Sequence, residues 1–199
     1  MTKTIDYYLS LISPYAYLGS RRLEEIAQRH RAEIRVKPVD YAAIFPKTGG
    51  LPLAKRAPER QAYRLVELAR WSKARDLPLN LHPKFFPAPE LAAACAVIAA
   101  GETGGDTLRL AHAVLRAVWA EERNIADTGT LEALCNETGH HGLNVMARAY
   151  DPETRVTYQA LTEEALAAGV FGAPTYIYRG EIFWGQDRLD FLDRALAGE

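Results

Sequence analysis

Ile5-Asp6-Tyr7-Tyr8-Leu9-Ser10-Leu11-Ile12-Ser13-Pro14-Tyr15-Ala16 decides the fold, because the hydrophobic period changes partway along it. Ile5, Tyr7 and Leu9 alternate with Asp6, Tyr8 and Ser10, the two-residue repeat of a strand. After Ser13-Pro14, Leu23, Ile26, Ala27 and His30 recur at helical spacing, which predicts a helix to about Arg31. Ile34 and Val36 then alternate with Arg35 and Lys37, and the run stops near Pro38. Strand, helix and strand in this order make a β-α-β unit, so the two strands are expected to be parallel.

Beyond this unit, residues 41–57 contain Pro46, Gly49, Gly50 and Pro52 and read as a loop by composition. A long helix is expected after Pro58, with Ala62, Leu65, Val66 and Ala69 as its apolar face. Residues 90–100 are apolar all round as far as Gly101, the pattern of a buried helix. Leu108, Ala111, Leu115, Val118 and Trp119 mark another helical face, and shorter helices are expected over 130–137 and 141–149. Asp151-Pro152 opens a further helix bearing Tyr158, Leu161, Ala165 and Ala168 before Gly169. The chain then returns to strand in Thr175–Tyr178 and Glu181–Trp184, joined at Arg179-Gly180 as a two-residue hairpin. A last helix is expected from Asp187, with Leu189, Leu192 and Leu196 inward. The order β-α-β, helical block, α-β-β-α is the thioredoxin arrangement, an α/β fold. Residues 1–54 and 151–199 would form the thioredoxin-like domain and 55–150 an inserted helical domain.

Composition narrows the functional classes. The 199 residues suit one large domain or one domain with an insertion. Lys and Arg total 24 against 25 Asp and Glu, a net charge of −1 that offers no footprint for nucleic acid or an anionic membrane. With 48% hydrophobic and 25% charged residues, disorder is excluded as the main state. No apolar run reaches the ~18 residues a membrane-spanning helix requires, and residues 1–6 hold no apolar signal core. Cys95 and Cys135 are far apart and alone, which excludes a disulfide scaffold and a Cys-based zinc site. A reduced cytoplasmic setting is expected.

In a thioredoxin arrangement the reactive site lies at the first strand-to-helix turn and faces a loop ending in proline. Ser13-Pro14-Tyr15-Ala16 and Gly172-Ala173-Pro174-Thr175 occupy these places. Ser13-Pro14-Tyr15-Ala16-Tyr17-Leu18-Gly19, Val170-Phe171-Gly172-Ala173-Pro174-Thr175 and Phe183-Trp184-Gly185-Gln186-Asp187-Arg188-Leu189 follow one another around the helical block. On these segments the whole chain resembles the glutathione-dependent 2-hydroxychromene-2-carboxylate isomerases and the kappa-class glutathione transferases, of the DsbA-like thioredoxin superfamily.

Redox relatives carry Cys-x-x-Cys where this chain has Ser13 and Ala16, so disulfide exchange is excluded here. What remains is a hydroxyl at a helix N-terminus, where free N–H groups and the helix dipole favour an anion. Serine without a neighbouring base is a poor nucleophile, and donating a hydrogen bond to an external thiolate suits it better. Ser before Pro is also a common cap, and on that basis alone Ser13 is structural.

The resemblance implies a thiolate of glutathione beside Ser13 that adds reversibly to a conjugated double bond. Rotation and elimination then return the cofactor and yield the isomer of a small aromatic carboxylate from ring degradation. It further implies a cis Pro174 with the Ala173 backbone pairing the cysteinyl part, Gln186 and Asp187 on the γ-glutamyl end, and a homodimer. Pro174 on its own also reads as an edge or turn, and Asp187 as a helix cap. Relatives carry a Gly-Asn pair in the 41–57 loop where this chain has Gly49-Gly50, which removes one polar contact. Lys47, Lys55 and Arg56 are left as candidates for a substrate carboxylate, or as solvated loop charges. Tyr15, with Tyr17, Trp71 and Trp184, is a candidate for an aromatic pocket, or for core. Glu121-Glu122 reads as a solvated helix end. Two other functions fit the same pattern: a kappa-like glutathione transferase, and a non-catalytic thioredoxin-like module binding thiols or peptides.

Overall fold

β1 (Thr4–Leu9), α1 (Pro14–His30) and β2 (Glu33–Pro38) form the expected unit, with β1 and β2 parallel from Thr4↔Glu33 to Leu9↔Pro38. The computed structural model describes residues 2–199. β3 (Thr175–Tyr178) lies antiparallel on the other side of β1, and β4 (Glu181–Trp184) lies antiparallel on β3. The sheet order is therefore β2-β1-β3-β4. Arg179 and Gly180 both take positive φ, +52° and +83°, which is how a two-residue hairpin matches strand twist.

Between β2 and β3 run α2 (Tyr41–Thr48), α3 (Pro58–Arg75), α4 (Leu91–Glu102), α5 (Thr107–Trp119), α6 (Thr128–Glu137), α7 (Gly142–Ala149) and α8 (Pro152–Ala167), and α9 (Leu189–Ala197) closes the chain. α4 is sheathed in small buried residues, Ala93 to Ala100, and α5 buries Leu110, Val114, Leu115, Val118 and Trp119. Ile5, Tyr7 and Leu9 of the sheet share one core cluster with these helices, so the apolar interior runs without a break from sheet to helical block. Cys95 and Cys135 are buried and unpaired within it. No helix of the described residues is long and apolar enough to cross a membrane.

Four expectations are corrected. The 41–57 segment is not all loop: α2 is capped by Asp40, whose Oδ1 accepts from the Ala42 N–H at 2.8 Å, and ends at Gly49 with φ +76°. Tyr41 and Ile44 bury against Tyr8, Val39, Ala165 and Val170, and that packing overrides the turn signal of Pro46 and the glycines. α3 is turned from its expected face. Leu68 is fully buried while Val66 is 44% exposed, and Ala62 and Ala69 face outward. Asp187 does not cap the last helix: it lies in a short 3₁₀ turn (Gln186–Arg188), and α9 begins after it without a side-chain cap. Glu122 is more than a solvated helix end, since its carboxylate accepts from Asn80 Nδ2 and the Lys84 N–H, each at 2.7 Å.

Candidate functional site

Strand register gathers the site at one end of the sheet. Leu9↔Pro38 and Tyr8↔Thr175 set the ends of β1 and β2 beside the start of β3, and Thr175↔Trp184 adds the end of β4. There the chain leaves β1 through Ser10–Ile12 and enters α1 at Ser13. Ser13 is the N-cap: its backbone is extended, and its Oγ accepts from the Ala16 N–H at 3.2 Å. Pro14 at the first helical position has no N–H, and the Tyr15 N–H meets no protein acceptor among the described residues. The Ser13 hydroxyl proton likewise has no acceptor among them, so both donors are available at the positive end of α1. Ser13 is 9% exposed, which leaves a narrow face open.

Opposite stands the Ala173-Pro174 peptide bond, which is cis. The loop before it is braced at the Gly172 carbonyl, which accepts from Thr175 Oγ1 at 2.6 Å and from Tyr41 Oη at 2.9 Å. The Pro174 carbonyl accepts from the Gly185 N–H at 2.9 Å, tying β4's end to the same loop. The Ala173 N–H and C=O make no protein hydrogen bond among the described residues.

Gln186 is 1% exposed, and its Oε1 accepts from Arg75 Nη2 at 3.3 Å. Gly19 makes that position accessible: a Cβ there would lie 2.8 Å from both Gln186 Cβ and Tyr176 Oη. Arg75 reaches in from the end of α3, over the Trp71 ring, and its Nε is buried without a partner. Asp187 faces Arg188 at 3.3 Å. Tyr15, half-buried, has Arg64, Glu67, Arg56 and Asp187 as charged neighbours, and burial raises its hydroxyl above the usual phenol range.

Ser13, Tyr15, Ala173, Pro174, Gln186 and Asp187 are thus brought to one end of the sheet. Arg56 comes near Tyr15 while its Nε donates to the Leu51 carbonyl. Lys47, in the last turn of α2, and Lys55, in the 3₁₀ turn Leu53–Lys55, are exposed and make no side-chain hydrogen bond among the described residues. Gly49 ends α2, and Gly50 lies so close to the Phe45 ring that a Cβ would overlap it. Tyr17 is core, its hydroxyl donating to the Pro78 carbonyl at 2.7 Å. Trp184 is half exposed and packs on Phe171, with its indole against Gly172 of the cis-proline loop.

Sequence reasoning missed Arg64, Arg75 and Glu90. Glu90 precedes α4 and turns its carboxylate inward, where it accepts from Ser10 Oγ at 2.9 Å and the Leu11 N–H at 2.6 Å. It holds the segment that delivers Ser13. Burial pushes the Glu90 carboxyl up to about 7, against the opposing pull of Ser10 and the Leu11 and Ile12 amides. The available signal was its place as the lone acid between Phe85 and Ala100, at the head of an all-apolar helix. Arg64 and Arg75 carried no such mark, because they lie on the helix face that apolar counting assigned to solvent.

The DSBA-like thioredoxin domain model matches residues 4–197. A 2-hydroxychromene-2-carboxylate isomerase of Sphingobium xenophagum is 28% identical over 98% of this chain and 99% of its own length. One from Pseudomonas putida is 30% identical over 96% and 93%. Among solved structures, a 2-hydroxychromene-2-carboxylate isomerase superposes with a TM-score of 0.82 at 24% identity, covering 98% of this chain and 95% of that one. The cytosolic disulfide reductase DsbM from Pseudomonas aeruginosa, in a structure with GSH, gives a TM-score of 0.69 at 18% identity over 98% and 99%.

Proposed function

The chain belongs to the DSBA-like thioredoxin family and, within it, to the 2-hydroxychromene-2-carboxylate isomerases; from that premise we propose a glutathione-dependent cis-trans isomerase of a small aromatic carboxylate. The observation that carries this reading is Ser13, the N-cap of α1, whose hydroxyl accepts from the Ala16 N–H and keeps its own proton free to donate, set across from cis Ala173-Pro174. The residues fit a γ-glutamyl tripeptide. The unpaired N–H and C=O of Ala173 match a peptide backbone, and the Asp187 carboxylate, Gln186 amide and Arg75 guanidinium match an amino-acid end group.

Glutathione, when bound here, would supply a thiolate nucleophile for reversible addition to the conjugated double bond and would itself be returned unchanged. Ser13 donates a hydrogen bond to the sulfur and, with the Tyr15 N–H and the α1 dipole, favours its ionised form at neutral pH. Ala173 holds the cysteinyl backbone, and Gln186, Arg75 and Asp187 orient the γ-glutamyl end. The reading extends to a homodimer in a reducing cytoplasm; the two buried, unpaired cysteines and the exposed Tyr63 and Val66 on α3 accord with it.

The test is titration with reduced glutathione, followed by tryptophan fluorescence and thiolate absorbance, alongside turnover of a 2-hydroxychromene-2-carboxylate. Saturable binding, a thiolate signal near pH 7 and no net loss of glutathione are expected. Ser13→Ala should cost about 100-fold in kcat/KM, the scale of removing one donor to a developing anion. Absence of binding at millimolar glutathione overturns the cofactor, and net consumption of glutathione reassigns the protein as a transferase.

A further inference from the structure

Arg64 stands in a groove of about 320 Å³ formed by Leu53, Gln61, Leu65, Leu81, His82 and Phe86, beside α3. Its guanidinium lies 5.5 Å from the centroids of both Phe86 and Trp119, rings that are tilted together at 4.8 Å. Among the described residues no carboxylate and no hydrogen-bond acceptor meets it. The nearby Glu67 is taken by Arg70 at 2.9 Å. Elsewhere in the chain arginines such as Arg123 and Arg148 engage acids at 3.0 Å or closer.

The Arg64 side chain is half-buried, and its guanidinium, stacked on two aromatic faces, meets no anion among the described residues. Arg56 is close enough that its positive charge opposes that of Arg64, which adds to the positive potential at this place. Neither aromatic ring accepts the in-plane N–H fork, which is the part of arginine that matches a carboxylate. Tyr15, two residues from Ser13, has both Arg64 and Arg56 as charged neighbours, which relates this arginine pair to the helix start described above.

We propose that Arg64 is the carboxylate receptor of the organic substrate, with the apolar groove beside it taking the aromatic ring of an aryl carboxylate. The assignment rests on the isomerase reading for its substrate class but not on glutathione. Arg56 supplies the second positive charge, while Lys47 and Lys55 remain outside.

The probe is trans-cinnamate against its neutral isostere cinnamamide, with tryptophan fluorescence as readout and glutathione omitted. The wild-type chain should bind cinnamate about tenfold tighter or more, the worth of one charge-assisted contact. Arg64→Met keeps the apolar stem; it should erase the preference by weakening cinnamate alone, and Arg64→Lys should restore part of it. Glutathione affinity of Arg64→Met should equal the wild type's. A folded Arg64→Met that still prefers cinnamate overturns the assignment, as does a wild-type chain that fails to distinguish the two probes. If Arg64→Met does not fold, Arg64→Gln is read in the same way. Preference for cinnamate without glutathione binding would leave Arg64 standing and remove the cofactor.

Discussion

The site has a floor and a wall, and they are built on different principles. The floor is backbone: the N-cap at Ser13, the cis bond at Ala173-Pro174 and the close approach of Gly19 to Gln186. The wall is side chain: Arg64 over Phe86 and Trp119, Arg75 over Trp71, and Glu90 on Ser10 and Leu11. A backbone feature demands one or two residue types at a fixed place, so it leaves a short readable motif. A side-chain wall can be rewritten one residue at a time without disturbing the sheet, and so it leaves no fixed motif.

That contrast is broken most directly on α3. Leu68→Ala should destabilise by about 3 kcal/mol, because it empties a fully buried position, whereas Val66→Ala should stay within about 0.5 kcal/mol. Urea unfolding of the two variants measures both. Equal losses would mean that α3 packs on the face its alanines suggest, and the wall would then have other residues. The observed face runs through Gln61, Arg64, Leu65, Leu68, Trp71 and Arg75, a helical row in which only Leu65, Leu68 and Trp71 are apolar. Long polar side chains bury their stems and keep their heads for specific partners, and hydropathy periodicity scores them as outward. The strands, the hairpin, α1, α4 and α5 were legible because their periods were unmixed. The placement of Ser13 at the helix start and of cis Pro174 opposite it was legible because motif and topology coincide. α2 was hidden by Pro46 and Gly49-Gly50, whose local preference yields to the burial of Tyr41 and Ile44.

Glu90 sharpens the comparison, since it is the wall residue that grips the floor. Its carboxyl is raised from 4.5 to about 7 by burial, and Asp40 pushes in the same direction. The folded state therefore holds this proton more tightly than the unfolded chain does. The corresponding stability is fully present below about pH 4.5 and is lost as pH rises through about 7, an expected decline of about 2 kcal/mol between about pH 5 and about pH 8. Glu90→Gln should flatten that decline and keep an acceptor for Ser10 and Leu11. Chemical denaturation across this range checks it, and an unchanged slope in the variant would assign the pH dependence elsewhere. Tyr41 and Tyr158 also feel the Glu90 charge, and both have hydroxyls raised by burial, so neither ionises in this range.

The smallest expected effect lies where α2 meets the cis-proline loop. The Gly172 carbonyl has two donors, Tyr41 Oη from α2 and Thr175 Oγ1 from the loop itself. Tyr41→Phe removes one and leaves the other, so the cost should be about 1 kcal/mol, and Thr175→Val should cost a similar amount. Both changes together strand a buried acceptor, and the double variant should lose more than the sum of the two by about 1 kcal/mol. Additivity in unfolding experiments would show that water or a shift of the loop replaces the lost donors. The floor would then owe less to α2 than its geometry implies. A coupling of the expected sign would instead make α2 a structural part of the floor, although composition alone placed that segment among the loops.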